Sequence, residues 1–159
     1  MNFTVPPGKN RVTQCAFTAR PRRLIADLEI LPSIAEDGLA IAAKDISQGG
    51  LVGTAMMLAE CSRVGVTIDV TRVPKPDGVP LERWLTTFPS YGYLLAVKAS
   101  NVSAVLERFE ARDIAAAEIG DFTANHRVAI GDGRHTETIW DFAREPLIGC
   151  AGAKVETFA

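Results

Sequence analysis

The residues best placed to do chemistry lie in Asp45-Ile46-Ser47-Gln48-Gly49-Gly50-Leu51-Val52-Gly53. Leu39-Ala40-Ile41-Ala42-Ala43 leads into this stretch and an apolar segment from Leu51 to Cys61 leaves it. The pattern predicts strand, glycine-rich turn, helix. The first N–H groups of a helix lack intrahelical partners, and the helix dipole is positive at that end. Glycines remove the Cβ atoms that hold a ligand away from backbone. Asp45, Ser47, Gly49 and Gly50 therefore form a candidate phosphate- or substrate-binding turn. The plainer reading is capping, with the Asp45 or Ser47 side chain accepting from the first helical amides. Neither G-x-x-x-x-G-K-[ST] nor G-x-G-x-x-G is present.

Other chemistry has little support. His126 and His135 lie near a hairpin, away from cysteines and paired carboxylates, and H-E-x-x-H spacing is absent. No metal site is assigned. G-x-S-x-G is absent too, and Asp69 and Asp77 are scattered, so no catalytic residue is assigned. Cys15, Cys61 and Cys150 stand apart with no C-x-x-C. That argues against a disulfide framework or cysteine-rich zinc site and fits a reducing cytoplasm. Cys61 is expected on the apolar side of its helix, as a small core residue.

The elements that must position the turn follow from periodicity. The chain has 159 residues, enough for one domain burying about 68–70% of its unfolded surface. Hydrophobic residues make up 47%, charged residues 23%, and the net charge is −2, which argues for neither nucleic acid nor an anionic membrane as partner. The cluster Arg20-Pro21-Arg22-Arg23 reads as a solvated helix start. No apolar run approaches the roughly 20 residues of a membrane span, and no signal-peptide core is visible.

Residues 1–20 read as an irregular arm, with a short strand conceivable over Val12 to Thr18. Arg22 to Asp37 reads as helix on Leu24, Leu28 and Leu31, widened by Ile25 and Ile34. Pro32 should break it near Ile30, and Gly38 should close it. Leu39 to Ala43 reads as a strand buried on both faces. After the turn, a helix runs to about Arg63 and ends at Gly65. Val66 to Val70 alternates as a half-buried strand. A rigid Pro74–Pro80 loop, a short helix from Leu81 to about Thr86 and a strand from Tyr93 to Val97 follow.

Asn101 or Ser100 should cap a helix reaching about Arg112, before a strand over Ile114 to Ile119. Gly120-Asp121 should turn the chain. His126 to Ile130 and Thr136 to Trp140 form a hairpin pattern around Gly131-Asp132-Gly133-Arg134. Residues 144–159 read as an irregular tail, leaving 21–143 as the domain. Strands alternating with helices predict a layered sheet with helices against it, with part of the order ferredoxin-like.

Ala43-Lys44-Asp45-Ile46-Ser47-Gln48-Gly49-Gly50-Leu51 resembles the D-x-S-x-G-G-L signature of the C-terminal domain in the aminoimidazole ribonucleotide synthetase (AIR synthase) superfamily. Gly65-Val66-Thr67-Ile68-Asp69 resembles that family's G-x-x-I-D strand. Thr87-Phe88-Pro89-Ser90-Tyr91-Gly92 resembles its T-F turn, with Pro89 in place of Asn, and Ile114 to Gly120 resembles its strand ending in I-G. The similarity covers about residues 22–143 and is nearest to AIR synthase-related proteins.

The resemblance implies an α+β fold, a three-layer α/β/α domain with partial ferredoxin-like topology. It also implies ATP-dependent phosphoryl-transfer chemistry, in which ATP and magnesium are held chiefly by a separate N-terminal domain. Residues 1–20 are too few to supply that domain. The expectation is a substrate- and phosphate-side domain, inactive alone and binding no cofactor alone. Its partners would be a separate ATP-binding subunit, a second copy of itself and a small phosphorylated ligand. The alternative is a non-catalytic binding or interaction module that kept the fold.

Overall fold

A computed structural model describes residues 2–5, 21–88 and 92–150. It is an α+β fold. The strands are β1 (Asn2–Val5), β2 (Ala40–Asp45), β3 (Gly65–Asp69), β4 (Tyr93–Val97), β5 (Ala115–Glu118), β6 (Gly120–Thr123), β7 (Arg127–Gly131) and β8 (Thr136–Asp141). The helices are α1 (Pro21–Leu28), α2 (Ile30–Glu36), α3 (Gly50–Cys61), α4 (Leu81–Leu85) and α5 (Val102–Glu110). No helix among the described residues is long and apolar enough to cross a membrane.

The strands divide between two four-stranded sheets, ordered β2-β4-β1-β5 and β6-β3-β7-β8. In the first sheet, β1 runs antiparallel to both β4 and β5, so β4-α5-β5 is a β-α-β unit split by β1. That unit is the ferredoxin-like part of the topology. In the second sheet, β3 pairs parallel with β7 and antiparallel with β6, and β7-β8 is the expected hairpin. The arm expected to be irregular thus supplies a strand at residues 2–5. The strand considered over Val12 to Thr18 lies outside the described residues.

Successive side chains of a strand point to opposite faces. Leu95 and Ala116 accordingly join Ile30, Ile34, Val105 and Phe109 in a cluster under α2 and α5. Leu94, Ala115 and Ala117 join a larger cluster with Leu51, Ala55 and Ala59 of α3, Val66 and Ile68 of β3, Trp84 of α4 and Val128 of β7. The first sheet is therefore covered on both faces, by helices on one side and by α3, α4 and the second sheet on the other.

Local chemistry explains most boundaries. Pro32 divides the first helical segment into α1 and α2 at Glu29. Gly38, at φ +64°, closes α2: its amide donates to the Ala35 carbonyl and the Leu39 amide to the Ile34 carbonyl. Other expectations need correction. Ile25 and Leu28 of α1 are exposed, so the apolar stripe is buried only from Ile30 onward. Strand β2 is an edge strand whose Ile41 is 69% exposed, not a strand buried on both faces. Neither Asn101 nor Ser100 caps α5 through its side chain; Asn101 Nδ2 donates to the Leu39 carbonyl at 3.3 Å. Arg63, at φ +55°, ends α3 by the same paired-bond device, leaving Gly65 to begin β3.

Gly120 does not turn the chain. It carries it straight from the first sheet into the second, pairing with Ile68. The crossing is tight: a Cβ on Gly120 would lie 1.9 Å from the Thr67 carbonyl oxygen. Ile119 just before it is fully buried, and its carbonyl accepts from the Asp69 amide at 2.8 Å. Gly120→Ala should lower stability by about 3 kcal/mol, because the overlap falls on backbone that cannot rotate away. Gly78→Ala, at φ +75° with open space around it, should cost about 1 kcal/mol from backbone strain alone. Urea unfolding midpoints of the two variants check the ordering, and equal losses would contradict the tight crossing.

Candidate functional site

Asp45 ends β2, and Ile46, fully buried, donates its amide to the Gly92 carbonyl at 3.0 Å. This pins the start of the turn to β4's leading end. Ser47 follows, half-buried, and donates its amide to Thr54 Oγ1 at 3.1 Å. Thr54 is completely buried on α3, so its hydroxyl reaches back one turn and fastens the loop to the helix. The Gly50 amide bonds the Ser47 carbonyl at 2.9 Å, and the Gly53 amide bonds the Gly49 carbonyl at 3.0 Å. The amides of Gln48 and Gly49 have no hydrogen-bond partner among the described residues, and both residues are exposed.

Gly49 is the N-cap of α3, at φ +93°, and no side chain caps the helix. The expectation that Asp45 or Ser47 caps α3 is therefore corrected. Both glycines have positive φ, +93° and +63°, and each meets a different neighbour. A Cβ at Gly49 would lie 3.2 Å from Gly53 Cα and in the left-handed region. A Cβ at Gly50 would lie 2.2 Å from the Leu85 carbonyl oxygen and 2.7 Å from Thr86 Cα. Gly50 is thus needed because the end of α4 packs on it. Its own amide is also used internally, so of the four candidate residues Gly49 keeps a free amide and Gly50 does not.

Lys44 gives the turn its charge. Its Nζ pairs with Asp45 Oδ1 and lies 3.4 Å from Ser47 Oγ. The hydrogen bond from Lys44 holds the Asp45 carboxyl below its ordinary value of 3.8. The turn therefore presents one ammonium, one carboxylate, one hydroxyl and two open amides on the positive end of a twelve-residue helix. That set can hold one anionic oxygen group. No group of three or more His, Cys, Asp or Glu able to hold a metal lies among the described residues. His135 is exposed, with its Nδ1 3.9 Å from Asp132 Oδ1. The second loop of the resemblance is only partly visible, since Pro89, Ser90 and Tyr91 lie outside the described residues.

A different cluster sits at the other end of α3. Glu60 is 1% exposed, and its carboxylate accepts from the amides of Leu147 at 2.8 Å, Ile148 at 2.9 Å and Gly149 at 3.2 Å. Three successive amides around one carboxylate form an anion nest built within the chain. Beside it, Cys61 is disulfide-bonded to Cys150, with Cα atoms 5.4 Å apart. Both cysteines are exposed. The expectations of unpaired cysteines and of Cys61 as a core residue are overturned by this bond. Residues 144–149 contain no helix or strand, yet they are held. The legible signal was Glu60 itself, the sole charge in the apolar run Gly50–Cys61. Lys44 was also missed, although it stands beside Asp45.

Residues 10–133 match the family model described as AIR synthase related protein, C-terminal domain. An uncharacterized protein of Synechocystis sp. is 37% identical over 153 residues, spanning 95% of this chain and 48% of that relative. The chain thus spans about half the length of that curated relative. Among solved structures, Thermotoga maritima PurL complexed with ATP is similar, with 15% identity and TM-score 0.66 over 86% of this chain and 23% of that one. So is a chain of the HypE-HypF complex, at 14% identity and TM-score 0.65, over 89% of this chain and 52% of that one. At these identities the solved structures bear on fold alone.

Asp45 should leave a mark on acid stability. Its carboxyl is held below 3.8 in the folded chain, so the stability it contributes is complete above that value. It is lost as pH falls through the lower folded value. Asp45→Asn should therefore lower the thermal midpoint modestly at neutral pH and flatten part of its fall below about pH 4, so that the two proteins converge in acid. An unaltered acid limb would show that the Lys44 pair is not maintained in solution.

Proposed function

The chain belongs to the AIR synthase-related family through that family's C-terminal domain, and from that premise we propose that it is the substrate-side half of an ATP-dependent enzyme. In this reading the Asp45–Gly50 turn receives a phosphate or similar anionic group of the substrate. The observation that carries it is the pair of open amides at Gln48 and Gly49, beside the Lys44 ammonium and at the positive end of α3. Ser47 Oγ adds a hydroxyl. Asp45 orients Lys44 and reduces its net charge, so it sets how strongly the turn attracts an anion. Gly49 admits the ligand to backbone, and Gly50 holds the turn in shape through α4.

ATP and magnesium enter with a nucleotide-binding domain on a partner chain or on a further segment. The greater length of the Synechocystis relative supports that assignment. The ATP complex of Thermotoga maritima PurL and the assembly of HypE with HypF support nucleotide use and a partner for chains of this fold. Phosphoryl transfer depends chiefly on positioning and charge neutralisation. This chain would contribute positioning. Its proposed setting is the cytoplasm, and exposed apolar side chains such as Ile25, Leu28 and Ile41 favour association with a second copy or a partner.

A second reading has one observation in its favour. The amides of Ser47 and Gly50 are satisfied within the chain. A turn closed in this way also suits a module that kept the fold without the chemistry.

Calorimetry with inorganic phosphate and pyrophosphate separates the two. The enzymatic reading expects saturable binding that weakens about tenfold in Lys44→Ala, a loss of about 1.4 kcal/mol, and strengthens in Asp45→Ala. It also expects no ATP hydrolysis by the chain alone. Absence of binding to either anion by the folded chain would favour the inert module.

A further inference from the structure

We propose that the Cys61–Cys150 pair is a thiol-exchange latch that docks residues 144–150 on the end of α3 when oxidised and releases them when reduced. The proposal stands on the arrangement around the bond and is independent of the anion turn.

The bond joins residues 89 apart in sequence and ties an irregular stretch to the last residue of a helix. Both sulfurs are on exposed residues, so a small thiol in solution can reach them. The remaining hold on the stretch is modest. Among the described residues it includes the three amides on Glu60, the Arg144 and Glu145 amides on the Asp141 carbonyl, the Trp140 Nε1 bond to the Glu145 carbonyl at 2.9 Å, and the half-buried Leu147 on the core. Ordering a stretch that makes no helix or strand costs conformational entropy, and the covalent tether removes much of that cost in advance.

Glu60 makes the latch two-state. Docked, its buried carboxylate is satisfied by backbone amides. Released, it loses all three donors together and takes up water. A half-docked stretch would leave a buried carboxylate short of donors, which is costly. The contacts therefore form and break as a unit.

The exchange balances with a low-molecular-weight thiol as reductant. One thiolate attacks either sulfur, forming a mixed disulfide and expelling the other cysteine as a thiolate, which takes a proton from water. A second thiolate attacks the mixed disulfide, leaves the remaining cysteine to be protonated, and forms the oxidised small disulfide. Attack on Cys61 would place the departing Cys150 thiolate beside Glu60, whose Oε2 lies 3.6 Å from that sulfur. Attack on Cys150 would place the Cys61 thiolate at the negative end of α3. Neither departure is electrostatically favoured, so the latch opens slowly and holds against weak reductants.

Hydrogen exchange of the full chain in oxidised glutathione and in dithiothreitol tests this, with thiol titration alongside. Titrated in denaturant after removal of the glutathione or dithiothreitol, with no more than one cysteine left able to carry a glutathione cap, oxidised protein should show at most one thiol of the 3 cysteines and reduced protein all 3. On reduction, the amides of Leu147, Ile148 and Gly149 should exchange at least about tenfold faster, while those of β3 keep their protection. Cys61→Ser should show the fast pattern in both buffers. Unchanged protection at 147–149 after reduction would overturn the latch. So would 3 reactive thiols in the oxidised protein, or loss of β3 protection together with the tail, which would make the bond a structural staple.

Discussion

Helix α3 is fixed at both ends, and the rest of the molecule is arranged around that fact. At its start, Gly50 lies against the Leu85 carbonyl and Thr86, with no room for a Cβ. At its finish, Glu60 is enclosed by the amides of residues 147–149, and Cys61 is bonded to Cys150. Between these points Leu51, Ala55 and Ala59 are fully buried in the cluster that joins the two sheets. A fully buried leucine contributes about 1.5–3 kcal/mol, and the small alanines let the helix approach both sheets closely. Neither end of the helix can shift without opening this core.

That fixation decides what the turn before α3 can do. A mobile loop could rotate its amides toward any neighbour. Here the Ser47 amide is committed to Thr54 and the Gly50 amide to the Ser47 carbonyl, while those of Gln48 and Gly49 are left to solvent. Their direction is set before any ligand arrives, which lowers the ordering cost of binding. Lys44 adds a positive charge that Asp45 partly offsets. In the proposed function this is the seat for one anionic group. The same helix carries two opposite arrangements: amides without an internal partner among the described residues at its start, and an internal carboxylate already supplied with amides at its finish.

Much of this was legible from residue order because local rules governed it. Pro32 and Gly38 set the division and the end of the second helical segment, and the Gly131–Arg134 turn set the β7-β8 hairpin. The strand-turn-helix around Gly49 and Gly50 followed from glycine placement. What periodicity could not show was long-range. It could not show that residues 2–5 would insert between β4 and β5, or that β3 would leave the first sheet. Gly120 reads as a turn residue in isolation; only the nearness of Thr67 reveals it as a crossing. Cys61 and Cys150 are isolated in sequence, and their pairing depends on where the tail returns. Asp45 and Ser47 look like caps, yet Thr54, seven residues beyond Ser47, is the side chain that fastens the turn.

The most direct measurement of the central claim is a residue-resolved one: amide chemical shifts of the nitrogen-15-labelled chain during titration with inorganic phosphate. A preset seat predicts saturable shifts concentrated at Gln48 and Gly49, with the amides of Ser47 and Gly50 moving little because they stay in their internal bonds. Shifts spread over the basic surface, or none at Gln48 and Gly49 while other residues respond, would contradict it.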